Sequence, residues 1–210
     1  MKQLKWIMLP LLWLVCSCGA LAQADQPSGR VLVGSPQLHA GGNDATLDAQ
    51  RERRALQILL RSVEKQIVSV ADAMPADKYG FTPTDGEFKG VRTFGQQVKH
   101  LAATNYILAA AALREEPPTD AGDEVGPPAI RTKAEILEYL NGSFVHLGKA
   151  IDAIGDNNVT VKSSPISPLP ANVATRLSFT VEALIHAFDH YGQMVEYLRM
   201  NGVVPPASRP

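Results

Sequence analysis

The chain has 210 residues, 45% of them hydrophobic, and its 20 basic and 21 acidic side chains nearly cancel. This charge balance, with no basic cluster beyond the short run Arg51–Arg54, excludes nucleic acid as the predicted partner. The only cysteines, Cys16 and Cys18, lie near the N-terminus. The rest of the chain therefore has no disulfide framework, no thiolate metal ligand and no cysteine nucleophile.

The N-terminus is typical of a secretory signal peptide over residues 1–22. Two lysines precede the apolar run Trp6–Val15, which is too short to span a bilayer, and Ala20-Leu21-Ala22 offers a small-residue cleavage site. An alternative is a lipoprotein signal, with a lipid anchor at Cys18. We therefore expect an exported protein, periplasmic or secreted, with no integral membrane segment after signal cleavage.

Residues 23–44 are rich in Gly, Ser, Pro and Gln and are predicted to form a flexible leader before a folded domain at 45–206. Within that domain, apolar residues recur every three or four positions in four stretches, which is the period of an amphipathic helix. The predicted helices are Asp44–Met74, Thr93–Arg114, Thr132–Gly155 and Asn172–Asn201.

The predicted helix ends coincide with capping and stop signals. Thr93 with Gln96, and Thr132 with Glu135, form capping boxes at the start of the second and third helices. A proline follows the first helix, and Gly202 is expected to end the fourth in a left-handed conformation. Long connections separate the helices, and no stretch alternates as a strand does. The chain is therefore predicted to be an all-α four-helix bundle with long connecting loops.

His186 and His190 are four residues apart in the last predicted helix, so their side chains lie on one face and can hold one metal ion. The residue after His186 is alanine rather than the glutamate of the zinc-protease motif, so the metalloprotease interpretation fails. A third ligand would have to come from another helix. His100 and His146, both beside apolar residues on predicted helices, are candidates, whereas His39 lies in the leader.

The last predicted helix is apolar on nearly every side. Its densest apolar stripe is predicted to pack against the neighbouring helices, while the histidine stripe faces a cavity or a mouth. The residues of the apolar stripe are Leu177, Val181, Leu184, Phe188, Tyr191 and Val195.

Three stretches of the sequence are similar to parts of one known family. Phe94–Ala102 resembles the first histidine helix of the DinB/YfiT-like superfamily of metal-dependent enzymes, and His186–Met194 resembles its C-terminal HxxxH helix. Tyr79–Pro83 resembles the loop before the first of these helices, although Arg92 stands where many members have a tryptophan. The resemblance covers residues 45–206 and implies a four-helix bundle of the DinB-like type.

The resemblance also implies a metal site formed by His100, His186 and His190, and it leaves His146 with a structural role. Three neutral imidazoles suit zinc, nickel or iron, and the family does not fix which. Three protein ligands leave an open coordination position, which is typical of catalytic zinc. Related proteins are described as metal-dependent hydrolases or as transferases that use low-molecular-weight thiols. A non-catalytic metal- or ligand-binding bundle is a further alternative.

Export favours the hydrolase, because thiol cofactors are mainly cytosolic. Glu182, one helical turn before His186, is the candidate for a base or for a partner that orients an imidazole, and it is equally explained as a solvated helix residue. Gln97 and Gln193 lie within one turn of the other two histidines and are further candidates for such contacts. The small-molecule substrate is not identified, and a homodimer is compatible with the remaining apolar residues.

Overall fold

The computed structural model describes residues 42–84, 86, 89–118, 121–122, 124–155, 164 and 166–210. The predicted all-α four-helix bundle is confirmed over this part of the chain. The predicted signal segment 1–22, and the leader 23–44 up to residue 41, lie outside the described residues. The helices are α1 (Gly42–Ala73), α2 (Phe94–Leu113), α3 (Lys133–Asp152) and α4 (Arg176–Met200), with short 3₁₀ helices at Ala76–Lys78 and Pro206–Ser208.

Capping boxes start the last three helices. The two predicted from the sequence, at Thr93 and Thr132, are both confirmed, with each threonine accepting from the backbone three residues on. The predicted start of the fourth helix at Asn172 is wrong, because α4 begins at Arg176. Thr175 and Ser178 form its capping box, in which a serine takes the place of the usual Glu or Gln.

The helix C-termini agree less closely with the sequence. Gly202 adopts the expected left-handed conformation, with φ of +70°, after α4. The third helix ends at Asp152, before the predicted Gly155. Two arginines from other helices bond to the carbonyls just beyond it: Arg176 donates to Ala153 O and Arg53 donates to Ile154 O. These carbonyls are thereby satisfied without a further helical turn.

The four helices pack as a ring in which α2 contacts α3 and α4, and α1 contacts the other sides of α3 and α4. Lys133 at the start of α3 donates to Asp72 O at the end of α1, so these two helices are antiparallel. Arg176 at the start of α4 donates to Ala112 O at the end of α2, so this pair is antiparallel too. Arg176 therefore joins the ends of α2 and α3 to the beginning of α4.

In contrast, α2 and α3 are parallel. Gly95 near the start of α2 approaches Ile136 near the start of α3, and Glu115 beyond the end of α2 approaches His146 in the second half of α3. The connection between them must therefore return along the length of the bundle. It brings Glu124 and Pro127 beside the first turns of α2, which positions the site described below.

The predicted packing face of α4 is confirmed only in part. Leu184 and Val195 of the expected apolar stripe are buried, but Phe188 of the same stripe is 46% exposed. The helix also buries the histidine side, including His190 and the small residues Ala183 and Ala187. The small alanines let α4 approach its neighbours closely, and the imidazoles find polar partners there, so hydrophobicity alone does not select the buried face.

The core of the bundle is formed by large side chains from all four helices. The largest fully buried ones include Ile67 from α1, Met74 just after α1, Phe94 from α2, Phe144 from α3 and Phe179 from α4. Within the described ranges, no helix combines the length and the apolar character that crossing a bilayer requires.

Candidate metal centre

The structure brings together the three histidines that the family resemblance selects. The Nε2 atoms of His186 and His190 lie 2.9 Å apart, and those of His186 and His100 lie 3.2 Å apart. The three ring centroids are separated by 4.3 to 5.1 Å. Because α2 and α4 are antiparallel, the second turn of α2 faces the second half of α4. The convergence therefore follows from the packing of these two helices.

All three histidines are kept neutral by their surroundings. Burial, then the charges of the neighbouring imidazoles, lower the pKa of His186 to about 3. Burial is also the main cause that lowers the pKa of His190 to about 4 and the pKa of His100 below its usual value. The nearby positive charge of Arg92 lowers the pKa of all three. Neutral imidazoles have the free lone pair that a metal ion requires.

His100 is oriented by the connection between α2 and α3. Its Nδ1 lies 2.9 Å from the backbone carbonyl of Glu124, which can only accept. The proton is therefore on Nδ1 and the lone pair is on Nε2, which points to the other two rings. Glu124 has φ of +67°, an uncommon left-handed value for a residue other than glycine. This backbone conformation is part of what aims the carbonyl at His100.

His190 is oriented by side chains. Its Nδ1 lies 2.6 Å from Nε2 of Gln97, a buried residue one turn before His100. The same Nε2 donates to Oε1 of Gln193 at 2.6 Å, and Gln193 in turn donates to the carboxylate of Asp189 at 2.9 Å. Gln97 thus contacts His190 and not His100, the histidine it precedes by one turn, and Gln193 acts on His190 through Gln97.

His186 differs from the other two histidines. Its Nδ1 is buried and has no hydrogen-bond partner among the described residues. Glu182, one turn earlier, accepts a hydrogen bond from Ser167 Oγ at 2.7 Å. The carboxyl group of Glu182 is partly buried, which raises its pKa, while the serine lowers it. The predicted role of Glu182 toward an imidazole or as a base stays a prediction.

His146 lies elsewhere in the bundle, on the interface between α2 and α3. Its ring centroid is 5.6 Å from that of Tyr106, and its Nε2 is 3.5 Å from a carboxylate oxygen of Glu115. It is only 7% exposed. These contacts agree with the structural role that the resemblance left to it.

Two contributors to the site were not identified from the sequence. The Glu124 carbonyl is a backbone group, so no residue type marks it, and only the glycines around it suggest an unusual loop. Arg92 was noticed as a departure from the family pattern, but its charge was not connected with the histidines. Its own carbonyl accepts from the Tyr197 hydroxyl at 3.0 Å, which fixes the chain just before α2.

The donor set fits a divalent metal ion. When all three Nε2 atoms carry lone pairs, these repel one another unless a positive charge lies between them. Three nitrogens bound to a tetrahedral zinc at about 2.0–2.1 Å stand about 3.3 Å apart, close to the separations seen here. Each of the three histidines offers one ligand atom, and these atoms lie within 4.8 Å of one another.

A concave feature away from the histidines lies on α1 and α3 and has a volume of about 560 Å³. It is an open groove with both positive and negative side chains, and no histidine lines it. Its lining residues are Arg61, Glu64, Lys65, Val68, Ser69, Asp72, Leu137 and Asn141. The histidine cluster is therefore the candidate site by its chemistry rather than by the size of a cavity.

The fold and the site together define a helical-bundle protein with three histidines on two antiparallel helices. The family model of the DinB superfamily matches residues 59–194, and the chain belongs to this superfamily. It is also similar to the crystal structure of a protein assigned to the DinB family from Exiguobacterium sibiricum 255-15. The identity is 16%, the TM-score is 0.47, and the match covers 77% of this chain and 95% of that one. A search of curated proteins finds no significant match.

Proposed function

We propose that this protein is a metal-dependent enzyme, most specifically a hydrolase, whose single divalent ion is held by His100, His186 and His190. The observation that carries the proposal is the convergence of three neutral imidazoles through their Nε2 atoms, two of the pairs at 2.9 and 3.2 Å. His100 also donates from its opposite nitrogen to a backbone carbonyl, as metal-binding histidines do.

A metal ion in this position would act as a Lewis acid and would lower the pKa of a bound water toward neutrality. Zinc, nickel and iron all suit three imidazoles. Glu182 is the proposed base: it lies one turn before His186, and partial burial raises the pKa of its carboxyl group. A carboxylate with a raised pKa is better matched to proton transfer near neutral pH than an exposed one.

Export is the second part of the proposal. The basic start, the short apolar run and the small-residue cleavage site support removal of residues 1–22 outside the cytoplasm. Fractionation of expressing cells should recover a shortened chain in the periplasm or medium. Labelling with a radioactive fatty acid distinguishes the lipoprotein alternative at Cys18, because only that alternative incorporates the label.

Metal analysis of protein purified without a histidine tag tests the site. We expect about one equivalent of metal in the wild-type protein and a loss of it in His186→Ala. His146→Ala is the matched control, since it removes a buried histidine from another part of the bundle and should retain the metal. Wild-type protein that neither carries nor takes up zinc, nickel or iron would refute the metal site.

Activity distinguishes the enzyme from a binding protein. A screen of ester, amide and phosphoester substrates is expected to find hydrolysis that His100→Ala abolishes with the helical circular dichroism unchanged. Glu182→Gln should lose most of this activity and keep its metal, whereas the exposed Glu196→Gln should keep both. Turnover only in the presence of a low-molecular-weight thiol would favour the transferase instead, and a metal-loaded protein without turnover would favour the binder.

A further inference from the structure

A histidine that binds metal through Nε2 must carry its proton on Nδ1, and that proton needs an acceptor. His100 has such an acceptor in the carbonyl of Glu124. The side-chain amide of Gln97 lies beside Nδ1 of His190, with its Nε2 2.6 Å away. Gln97 is 3% exposed, so water is not an alternative partner there. Gln97 is therefore the group that decides where the proton of His190 lies.

The direction of the Gln97 amide is set by its other neighbours. The carboxylate of Asp189 can only accept, so Gln193 turns its Nε2 toward it at 2.9 Å. Gln193 Oε1 then faces Gln97, which must present Nε2 to it, at 2.6 Å. That same Nε2 faces His190 Nδ1 and donates to it. The chain of hydrogen bonds thus favours a proton on Nε2 of His190, the atom that points to the other two histidines.

Metal binding requires the reverse arrangement at His190. The Gln97 amide has to turn over, so that its oxygen accepts from Nδ1 of His190. The turned oxygen would then face Gln193 Oε1, so either this contact between two acceptors has to break or Gln193 has to turn as well and give up its hydrogen bond to Asp189. Gln193 therefore opposes the orientation that a bound metal needs, while Gln97 supports it once it has turned.

We propose that Gln97 is the positioning residue of His190 and that Gln193, held by Asp189, limits metal affinity by fixing the Gln97 amide in the opposing direction. This inference rests on the proposed metal site. It assigns opposite effects to two neighbouring glutamines in one hydrogen-bonded chain, which a purely structural role for the chain would not produce.

The test is zinc affinity, measured by competition with a chromophoric chelator. Gln97→Leu should weaken binding by about tenfold to a hundredfold, as loss of such a partner typically does. Gln97→Glu, which can only accept, should restore wild-type affinity or exceed it. Gln193→Ala should tighten binding by about fivefold, because Gln97 is freed to turn. Gln66→Leu, which changes a partly exposed glutamine with a local hydrogen bond on α1, is the control and should leave zinc affinity unchanged.

A second readout is the visible spectrum of the cobalt-substituted protein. Gln97→Leu should shift the cobalt bands, because His190 loses its fixed ring orientation, and Gln97→Glu should restore them. Circular dichroism confirms folding of each variant. If Gln97→Leu does not fold, the zinc affinity of Gln193→Ala still tests the inference. Gln193 is exposed, so we expect this variant to fold.

Each outcome has a distinct meaning. Equal weakening in Gln97→Leu and Gln97→Glu, or no change in either, would overturn the positioning role. Weaker binding in Gln193→Ala would overturn the opposing role of Gln193. Wild-type protein that binds no zinc would overturn the proposed function, and this inference with it. If the wild-type protein binds zinc and all the variants bind it with the same affinity, the inference is overturned and the proposed function is not.

Discussion

At the scale of single residues, some groups of the site can be predicted from the sequence and others cannot. His186 and His190 could be found from their spacing alone, because four residues make one helical turn. His100 could be selected over His146 only through the family resemblance, since both lie beside apolar residues on amphipathic helices. The carbonyl of Glu124 could not be predicted, because a backbone group leaves no mark in the residue types.

Tyr79 allows a pH-dependent prediction that does not involve the metal. Burial, and then the nearby charge of Asp72, raise the pKa of Tyr79, whose hydroxyl donates to Ala71 O at 2.7 Å. The unfolded chain loses this proton near pH 10, before the folded protein does. Stability is therefore expected to be constant below pH 10 and to fall above it, by up to about 1.4 kcal/mol per pH unit.

Denaturant unfolding of wild type and Tyr79→Phe between pH 8 and 11.5 measures this effect. The variant should lose about 1 kcal/mol at pH 8, from the missing hydrogen bond, and should show a shallower decline above pH 10. Parallel declines in the two proteins would show that other groups cause the alkaline loss.

At the scale of the helices, local sequence signals predicted where each helix begins better than which side of it is buried. Capping boxes are formed by residues three apart, so Thr93 and Thr132 could be read directly, and only the serine-containing box at Thr175 was missed. The buried face of α4 was predicted only in part, because it depends on which neighbour the helix meets. Close approach at Ala183 and Ala187 outweighs the larger apolar area of Ile185 and Phe188.

Two glycines of α3 give opposite predictions for the same substitution. A Cβ at Gly142 would clash with the hydroxyl oxygen of Tyr106, whereas at Gly148 the first neighbour is a Leu60 methyl at 3.5 Å. Gly142→Ala should destabilise the protein by about 1–3 kcal/mol, because the buried Tyr106 ring must move. Gly148→Ala should stabilise it by up to about 1 kcal/mol through helix propensity.

Thermal unfolding of the two α3 variants, side by side, measures the difference. Because both substitutions add one methyl group to the same helix, each is the control for the other. A stabilised Gly142→Ala would mean that Tyr106 has an alternative position of low energy between α2 and α3.

At the scale of the whole molecule, the sequence predicted four helices and long connections but not their directions. The apolar periodicity of a helix does not depend on the direction in which the helix runs through the bundle. The parallel arrangement of α2 and α3 could therefore not be predicted. The prolines and glycines between them indicated only that the connection is long. The structure shows why it is long: it returns to the end of the bundle where α2 begins.

Metal binding should stabilise the whole molecule, because the proposed ligands join α2 to α4. At a free zinc concentration one hundred times the dissociation constant, the gain in unfolding free energy is about 2.7 kcal/mol. Calorimetry with and without zinc should therefore show a higher Tm for the wild type and for His146→Ala, and no zinc-dependent shift for His186→Ala. An equal shift in His186→Ala would place the stabilising zinc somewhere else.

The left-handed backbone at Glu124 has a consequence for how such a protein can change over evolutionary time. One of the three histidines takes its orientation from a connection and not from a helix. Insertions, deletions or a changed backbone conformation between α2 and α3 can therefore alter the reactivity of the centre while the helices and their core stay as they are. Divergence of chemistry on this bundle needs no new ligands, only a different loop.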